Sequence, residues 1–383
     1  MSTSLPIIQL THRAGIIDLG WGHPDSSLLA VDAMGRAAAD ALGRHGADAL
    51  AYGIEGGPGP LRSWLIERIA RNEGRAPDPA EIMVTGGASH ALDQVCTLLT
   101  RPGDVALVES PVYHLAVRVL RDHPLELVPV PRDAGGLRLD ALADTLAGLR
   151  RAGKAPRLLY TVPTFHNPTG TSLAADRRQA LVDLAADEGF TVVEDDVYRE
   201  LAYEGTSPPS LWSLARPGVV VRLGSFAKSL APGLRLGWLT ADAATVARFT
   251  GGGMLDSGGG VNHFTAMTVA SLCGMGEFDA QLERLRAAYR ERRDALAAGL
   301  REHLPHGCTF EAPRGGFFQW VQLPAGTDAR ALLPQSEAAG VSYLPGAKFH
   351  LDGSGADALR LAFSLYPPAE LREAARRLGA ALR

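Results

Sequence analysis

An α/β fold, with a large helix-covered and mostly parallel sheet plus a smaller α+β lobe, is what the sequence predicts. Two patterns carry that expectation. Short β-rich runs alternate with longer helical patterns through the middle of the chain, as in successive strand–helix–strand units. Beyond the long amphipathic stretch Phe278–Leu300 the order changes to strand-like segments and a closing helix. The length, 383 residues, exceeds one ordinary core and suffices for two.

In chain order, residues 1–30 read as an arm rich in Gly and Pro without strong periodicity. A large domain over 31–275 takes strands at Glu81–Thr85, Val105–Glu109, Leu125–Val130, Arg157–Val162, Thr191–Glu194, Val219–Leu223 and Gly237–Leu239, with helices between them such as His90–Leu99 and Ala174–Glu188. These strands are rich in Val and Leu, as residues covered on both faces of a sheet must be. A small domain over 276–383 begins with the Phe278–Leu300 helix, whose charged and apolar residues alternate at helical spacing. It continues through strand-like Cys308–Leu323 and Val341–Phe349 to a helix at Pro368–Leu382.

Composition narrows the classes of function. Hydrophobic residues are 46% and charged residues 21% of the chain, an ordinary globular balance. A net charge of −4 gives no basic field for nucleic acid or anionic membrane. No apolar run approaches the roughly 20 residues of a membrane span, and no leader-like apolar region follows the start. The three cysteines, Cys96, Cys273 and Cys308, are widely spaced; they read as buried thiols of a cytoplasmic protein rather than a disulfide or zinc framework.

The stretch from Ser225 to Gly237 holds Lys228 among small and apolar residues, directly after a β-branched run. Burial disfavours a charged ammonium, so the neutral nucleophilic amine becomes accessible, as Schiff-base chemistry with an aldehyde requires. Ser225 and Arg235 flank it and suit a phosphate. An aldehyde and a phosphate on one small molecule point to pyridoxal 5′-phosphate.

Further pieces fit the same ligand. The strand Thr191–Glu194 ends in Asp195-Asp196-Val197-Tyr198, at the strand end where α/β sites gather. A carboxylate there can hold a protonated pyridine nitrogen, and a tyrosine three positions on can donate to a phenolate oxygen. Asn167, ahead of Pro168 in a rigid loop, can donate to the same oxygen. Thr85-Gly86-Gly87-Ala88-Ser89-His90 joins strand to helix and offers backbone N–H groups to an anion. Tyr113 can stack on a planar ring. Tyr52 lies in a Gly-rich loop, and Arg360 stands alone among apolar neighbours, where a guanidinium needs an anionic partner.

In this order and spacing the motifs resemble the fold-type I pyridoxal-phosphate enzymes of the aspartate aminotransferase superfamily. The likeness is to the class I/II branch that includes aminoadipate and kynurenine aminotransferases and the aminotransferase-like domains of bacterial regulators. It covers the chain from Gly20 to Ser364. The resemblance implies that Lys228 forms the Schiff base and shuttles the α-proton, and that Asp195 pairs with the pyridine nitrogen. Tyr198 and Asn167 would bond the phenolate oxygen and Tyr113 would stack on the ring. The Ala88 and Ser89 backbone, Ser225 and Arg235 would hold the phosphate, and Tyr52 would reach the neighbouring subunit's phosphate in a homodimer. Arg360 and Asn167 would bind the substrate α-carboxylate near Gly22.

Three features depart from that branch. Ala227 stands where a serine is common, His90 where a glutamine is common, and Gly251–Gly260 is unusually glycine-rich. That last segment reads as a substrate loop or linker, and His23 as a substrate contact or solvated turn residue. An arginine clamp on the carboxylate favours proton removal over decarboxylation. The expectation is therefore an aminotransferase moving an L-amino acid's amino group to a 2-oxo acid. The alternatives are a lyase or decarboxylase using the same cofactor, and a cofactor-binding regulator, which the early start of the resemblance disfavours.

Overall fold

The computed structural model describes residues 7–383; the first six residues of the expected arm lie outside them. The chain opens with a short strand β1 (Ile17–Asp18) and two helices, α1 (Val31–His45) and α2 (Gly59–Glu73). Then come β2 (Ile82–Thr85), α3 (Ala88–Leu99), β3 (Val105–Ser110), α4 (His114–Asp122), β4 (Glu126–Asp133), β5 (Gly136–Leu137), α5 (Leu139–Arg151), β6 (Pro156–Thr161), α6 (Ala175–Glu188), β7 (Thr191–Asp195), the single turn α7 (Leu211–Leu214), β8 (Val220–Ser225) and β9 (Gly237–Thr240).

These strands form one sheet of eight, in the spatial order β2-β9-β8-β7-β6-β3-β4-β5. The run from β8 to β4 is parallel, while β9 is antiparallel to both neighbours. β2, reversed twice through β9, points the same way as the parallel set. The C-terminal ends of β2, β3, β6, β7 and β8 therefore share one edge, where a site is expected. Every residue of β2 and β8 is buried, as are the first five of β3, consistent with a sheet covered on both faces.

Helices α8 (Ala243–Thr250), α9 (Gly253–Gly258) and α10 (His263–Gly274) lead to α11 (Glu277–His303). Beyond it lie β10 (Phe318–Gln322), α12 (Ala329–Ala338), β11 (Val341–Ser342), β12 (Leu344–Pro345), β13 (Ala358–Ala362) and α13 (Pro368–Ala381). β10, β13 and β12 make a small antiparallel sheet, and α13 packs along α11. The arm is tied to this part of the chain: β1 pairs with β11, and Arg13 meets both Asp18 and Glu337 at 2.7 Å.

Four expectations are corrected. Of Cys308–Leu323 only β10 is a regular strand, because Gly315 and Gly316 bend the chain ahead of it, pressed against Phe165 and Leu201. Val341–Phe349 is two short strands parted at Tyr343 and a 3₁₀ turn after Pro345, rather than one strand. The glycine-rich segment carries α9 rather than a plain loop. Its end is a close approach: a Cβ on Gly260 would sit 2.4 Å from the Ile54 carbonyl. Cys96 and Cys273 are buried, whereas Cys308, expected to be buried, is only half so.

Candidate active site

At the shared strand edge lies a cavity of about 720 Å³. Gly22, Ala88, Ser89, Tyr113, Asn167, Asp195, Tyr198, Ser225, Lys228, Arg235 and Arg360, every cofactor- or substrate-binding residue that the resemblance implies except Tyr52, contribute to its wall. Tyr52 lies outside, 87% exposed. It is carried on the loop against which Gly259 packs.

Lys228 follows β8 and points its amine toward the arm, 3.5 Å from the Gly22 carbonyl and 5.6 Å from the centre of the Phe317 ring. Burial pulls the amine down to about 8; Asp195 opposes this, and Arg235 and Arg360 add to it. A neutral amine is thereby available close to neutral pH.

Asp195 ends β7. Tyr160, on the adjacent β6, donates to its Oδ2 at 2.6 Å, while Oδ1 is buried without a partner. Burial raises this carboxyl to about 6 against the Tyr160 hydrogen bond. Its neighbour Asp196 has a different setting. Asp196 Oδ2 accepts from Arg199 at 2.5 Å and Arg222 at 2.9 Å, and Arg222 also pairs with Glu73 at 2.6 Å. Despite burial, which acts to raise it, Arg199 and Arg222 hold Asp196 below the ordinary carboxyl range. One acid is thus spent on structure and the other is free for a ligand.

Arg360 rises from β13 and is 3% exposed. It donates to Asn167 Oδ1 at 3.0 Å and to the Gly20 carbonyl at 2.5 Å, with Nε unpartnered and no carboxylate in ion-pair contact among the described residues. The guanidinium lies 4.2 Å from the Phe318 ring centre. Burial lowers it to about 10, and its charge lacks a protein anion. Gly22 makes room here: a Cβ on it would sit 2.6 Å from Phe318 Cζ.

The anion-binding end is built from α3 and the turn after β8. Gly87 takes φ 91° at the head of α3, a conformation glycine adopts without steric cost, so the Ala88 and Ser89 N–H groups begin the helix. Arg235 reaches back to the Gly86 carbonyl at 3.3 Å, and Ser225 Oγ accepts from the Ala227 N–H at 3.1 Å. His90 is not part of the wall; its Nδ1 accepts from the Gly86 N–H at 3.2 Å, closing the turn. His23 does line the cavity, its ring tilted against Trp21 at 5.0 Å between ring centres.

Two groups escaped the sequence reading. Tyr160 looked like any strand residue; its signal was that a buried tyrosine hydroxyl needs a partner. Trp21 was passed over within the arm. The rest of the wall includes Leu115, Val119, Leu333 and Leu344, together with Lys348.

A family profile described as aminotransferase class I and II matches residues 14–378. The chain belongs to this family. It is a pyridoxal-phosphate-dependent transferase of fold type I. Among the family's members, an aromatic-amino-acid aminotransferase of Thermococcus litoralis is 32% identical over 97% of this chain and 89% of its own. A 2-aminoadipate transaminase of Thermus thermophilus is 34% identical over 100% and 94%. A kynurenine aminotransferase of Pyrococcus horikoshii, solved in complex with PMP, KYN and KYA, superimposes with a TM-score of 0.91 at 31% identity, covering 96% of this chain and 91% of that one.

The residues present fit the cofactor. Asp195 Oδ1, buried and unpartnered, is the acceptor a protonated ring nitrogen requires, and an amine, a hydroxyl, a guanidinium and helix N–H groups share its cavity.

Proposed function

We propose that this aminotransferase takes the amino group from an L-amino acid with a bulky apolar side chain and passes it to a 2-oxo acid, at the residues just described. The observation that carries this reading is Arg360: a buried guanidinium without a protein carboxylate, in one cavity with Lys228 and the free oxygen of Asp195. The leucines and valine of the remaining wall, with Arg13 already neutralised by Asp18 and Glu337, support an apolar side chain.

When bound, pyridoxal phosphate supplies an aldehyde for an amine and a ring that accepts the electrons of a broken Cα bond. The chain's own groups do the rest. The Ala88 and Ser89 N–H groups, Ser225 and Arg235 would hold the phosphate, with one hydroxyl fewer at Ala227. Asp195 Oδ1 would keep the ring-nitrogen proton, Tyr113 would lie against the ring, and Tyr198 and Asn167 would face its oxygen. Arg360 and Asn167 would grip the α-carboxylate beside Gly22. Held there, the carboxylate would be kept from leaving as CO₂, and the Cα proton would be the one that the Lys228 amine takes.

The arm (1–30), large domain (31–275) and small domain (276–383) would meet at this cavity. The exposed Leu50, Tyr52, Ile54, Met254 and Phe264 support a homodimer in which Tyr52 serves the second copy's phosphate site. The free cysteines suit the reducing cytoplasm, and no helix among the described residues is long and apolar enough to cross a membrane.

Steady-state kinetics of Arg360→Gln test the reading. Losing a charge-assisted, bidentate contact at about 1.5–3 kcal/mol should raise KM for both amino acid and 2-oxo acid by about 10- to 100-fold. Unchanged KM values would remove Arg360 from the substrate site.

A further inference from the structure

We infer that Tyr160 is a positioning residue for Asp195: by donating to Oδ2 it turns the carboxylate so that Oδ1 is left for the cofactor's ring nitrogen, and it holds that carboxylate in its charged form. The inference rests on the cofactor reading above and adds a residue to it.

The geometry is specific. Tyr160 sits on β6 beside β7, its ring fully buried, and its hydroxyl lies 2.6 Å from Asp195 Oδ2. Burial, followed by the charge of Asp195, drives the Tyr160 phenol well above its ordinary titration, so the hydroxyl keeps its proton and is the donor. A hydrogen bond to a charged acceptor counts for more than a neutral one. Here it opposes two influences that favour the neutral acid, burial and the adjacent Asp196 just past β7. The Val197 N–H also acts on this carboxylate, but among the described residues no other side chain donates to Oδ2. Lys228, on the turn after β8, acts on Asp195 only through its charge, and Arg360 donates to Asn167 and Gly20. Tyr113 at the head of α4 and Tyr198 beyond β7 are uncharged phenols, and Glu109 on β3 is paired with Arg132.

The test is the pH dependence of cofactor affinity, read as quenching of protein fluorescence when pyridoxal phosphate is titrated into apoprotein. It needs no turnover. Tyr160→Phe keeps the ring and removes the donor, so Asp195 should protonate about one pH unit higher. Affinity should then fall close to tenfold against wild type at pH 5.5 and less than twofold at pH 8.5. The acid limb of kcat/KM should move up with it. In the Asp195→Asn background, Tyr160→Phe should cost little more, since the pair acts as a unit. A loss equal at all pH values, or none, would overturn the inference and leave Tyr160 as packing. Should Tyr160→Phe not fold, 3-fluorotyrosine placed at position 160 supplies a stronger donor of nearly the same shape. It should move the affinity midpoint to lower pH, and an unmoved midpoint would likewise overturn the inference. Wild-type protein that binds no pyridoxal phosphate at any pH would defeat the cofactor reading itself, a distinct result.

Discussion

Asp195 and Asp196 are neighbours in sequence and opposites in setting. Asp196 is held by Arg199 and Arg222 in a buried ion network that also includes Glu73, whereas Asp195 keeps one oxygen free at the cavity wall. The two should fail differently. Asp195→Asn should fold normally, retain cofactor weakly and lose about 100-fold or more in kcat, because the amide supplies no charge for the ring nitrogen. Asp196→Asn should instead cost about 3–5 kcal/mol of stability, the penalty of breaking a buried pair and stranding its partners. Thermal unfolding and kcat measured on both variants check this, and a crippled but stable Asp196→Asn would reverse the assignment. From sequence, the tyrosine three positions on marked Asp195 as the ligand-facing acid. Nothing in the sequence marked Tyr160 as its partner, because the pairing joins adjacent strands 35 residues apart.

Among elements, the arm shows how a backbone can shape a side-chain site. β1 pairs with β11, and the following Gly20 carbonyl and Gly22 carry the chain between Arg360, Lys228 and Phe318. Gly22→Ala would force the Phe318 ring, T-packed on Tyr198 at 5.8 Å between centres, toward Tyr198 and the Arg360 guanidinium. Overpacking of this kind costs about 1–3 kcal/mol. The variant should show a lower Tm and a KM for amino acid raised at least tenfold, and wild-type KM would show that the ring yields freely. The regular elements were legible because buried parallel strands and amphipathic helices carry strong hydrophobic periods. Strand ends were read to within a few residues, as at Glu126–Asp133, which runs on past Val130. The small lobe was less legible: β11 and β12 are two residues each, too short for any period, and α9 forms in a run of glycines that intrinsic propensity disfavours.

At the scale of the whole molecule, sheet topology gathers residues that lie far apart in the chain. The parallel run from β8 to β4, with β2 pointing the same way, brings the turns after β2, β6, β7 and β8 to one edge, and the arm and β13 close over it. The sequence supplied the motifs and their order, and through the family resemblance their meeting place. It held no local signal for the apolar remainder of the wall, which comes from α4, α12 and β12. The central claim is reversible amino transfer through Lys228, and it is tested most directly by the absorption spectrum of the purified holoenzyme in two stages. A pool of apolar amino acids, added without oxo acid, should convert the cofactor's absorption to that of pyridoxamine phosphate in a single turnover. Adding a 2-oxo acid should restore the starting spectrum, and Lys228→Ala should do neither while keeping its fold. Release of CO₂ or ammonia under amino acid alone, with continued turnover and no need for an oxo acid, would contradict the account.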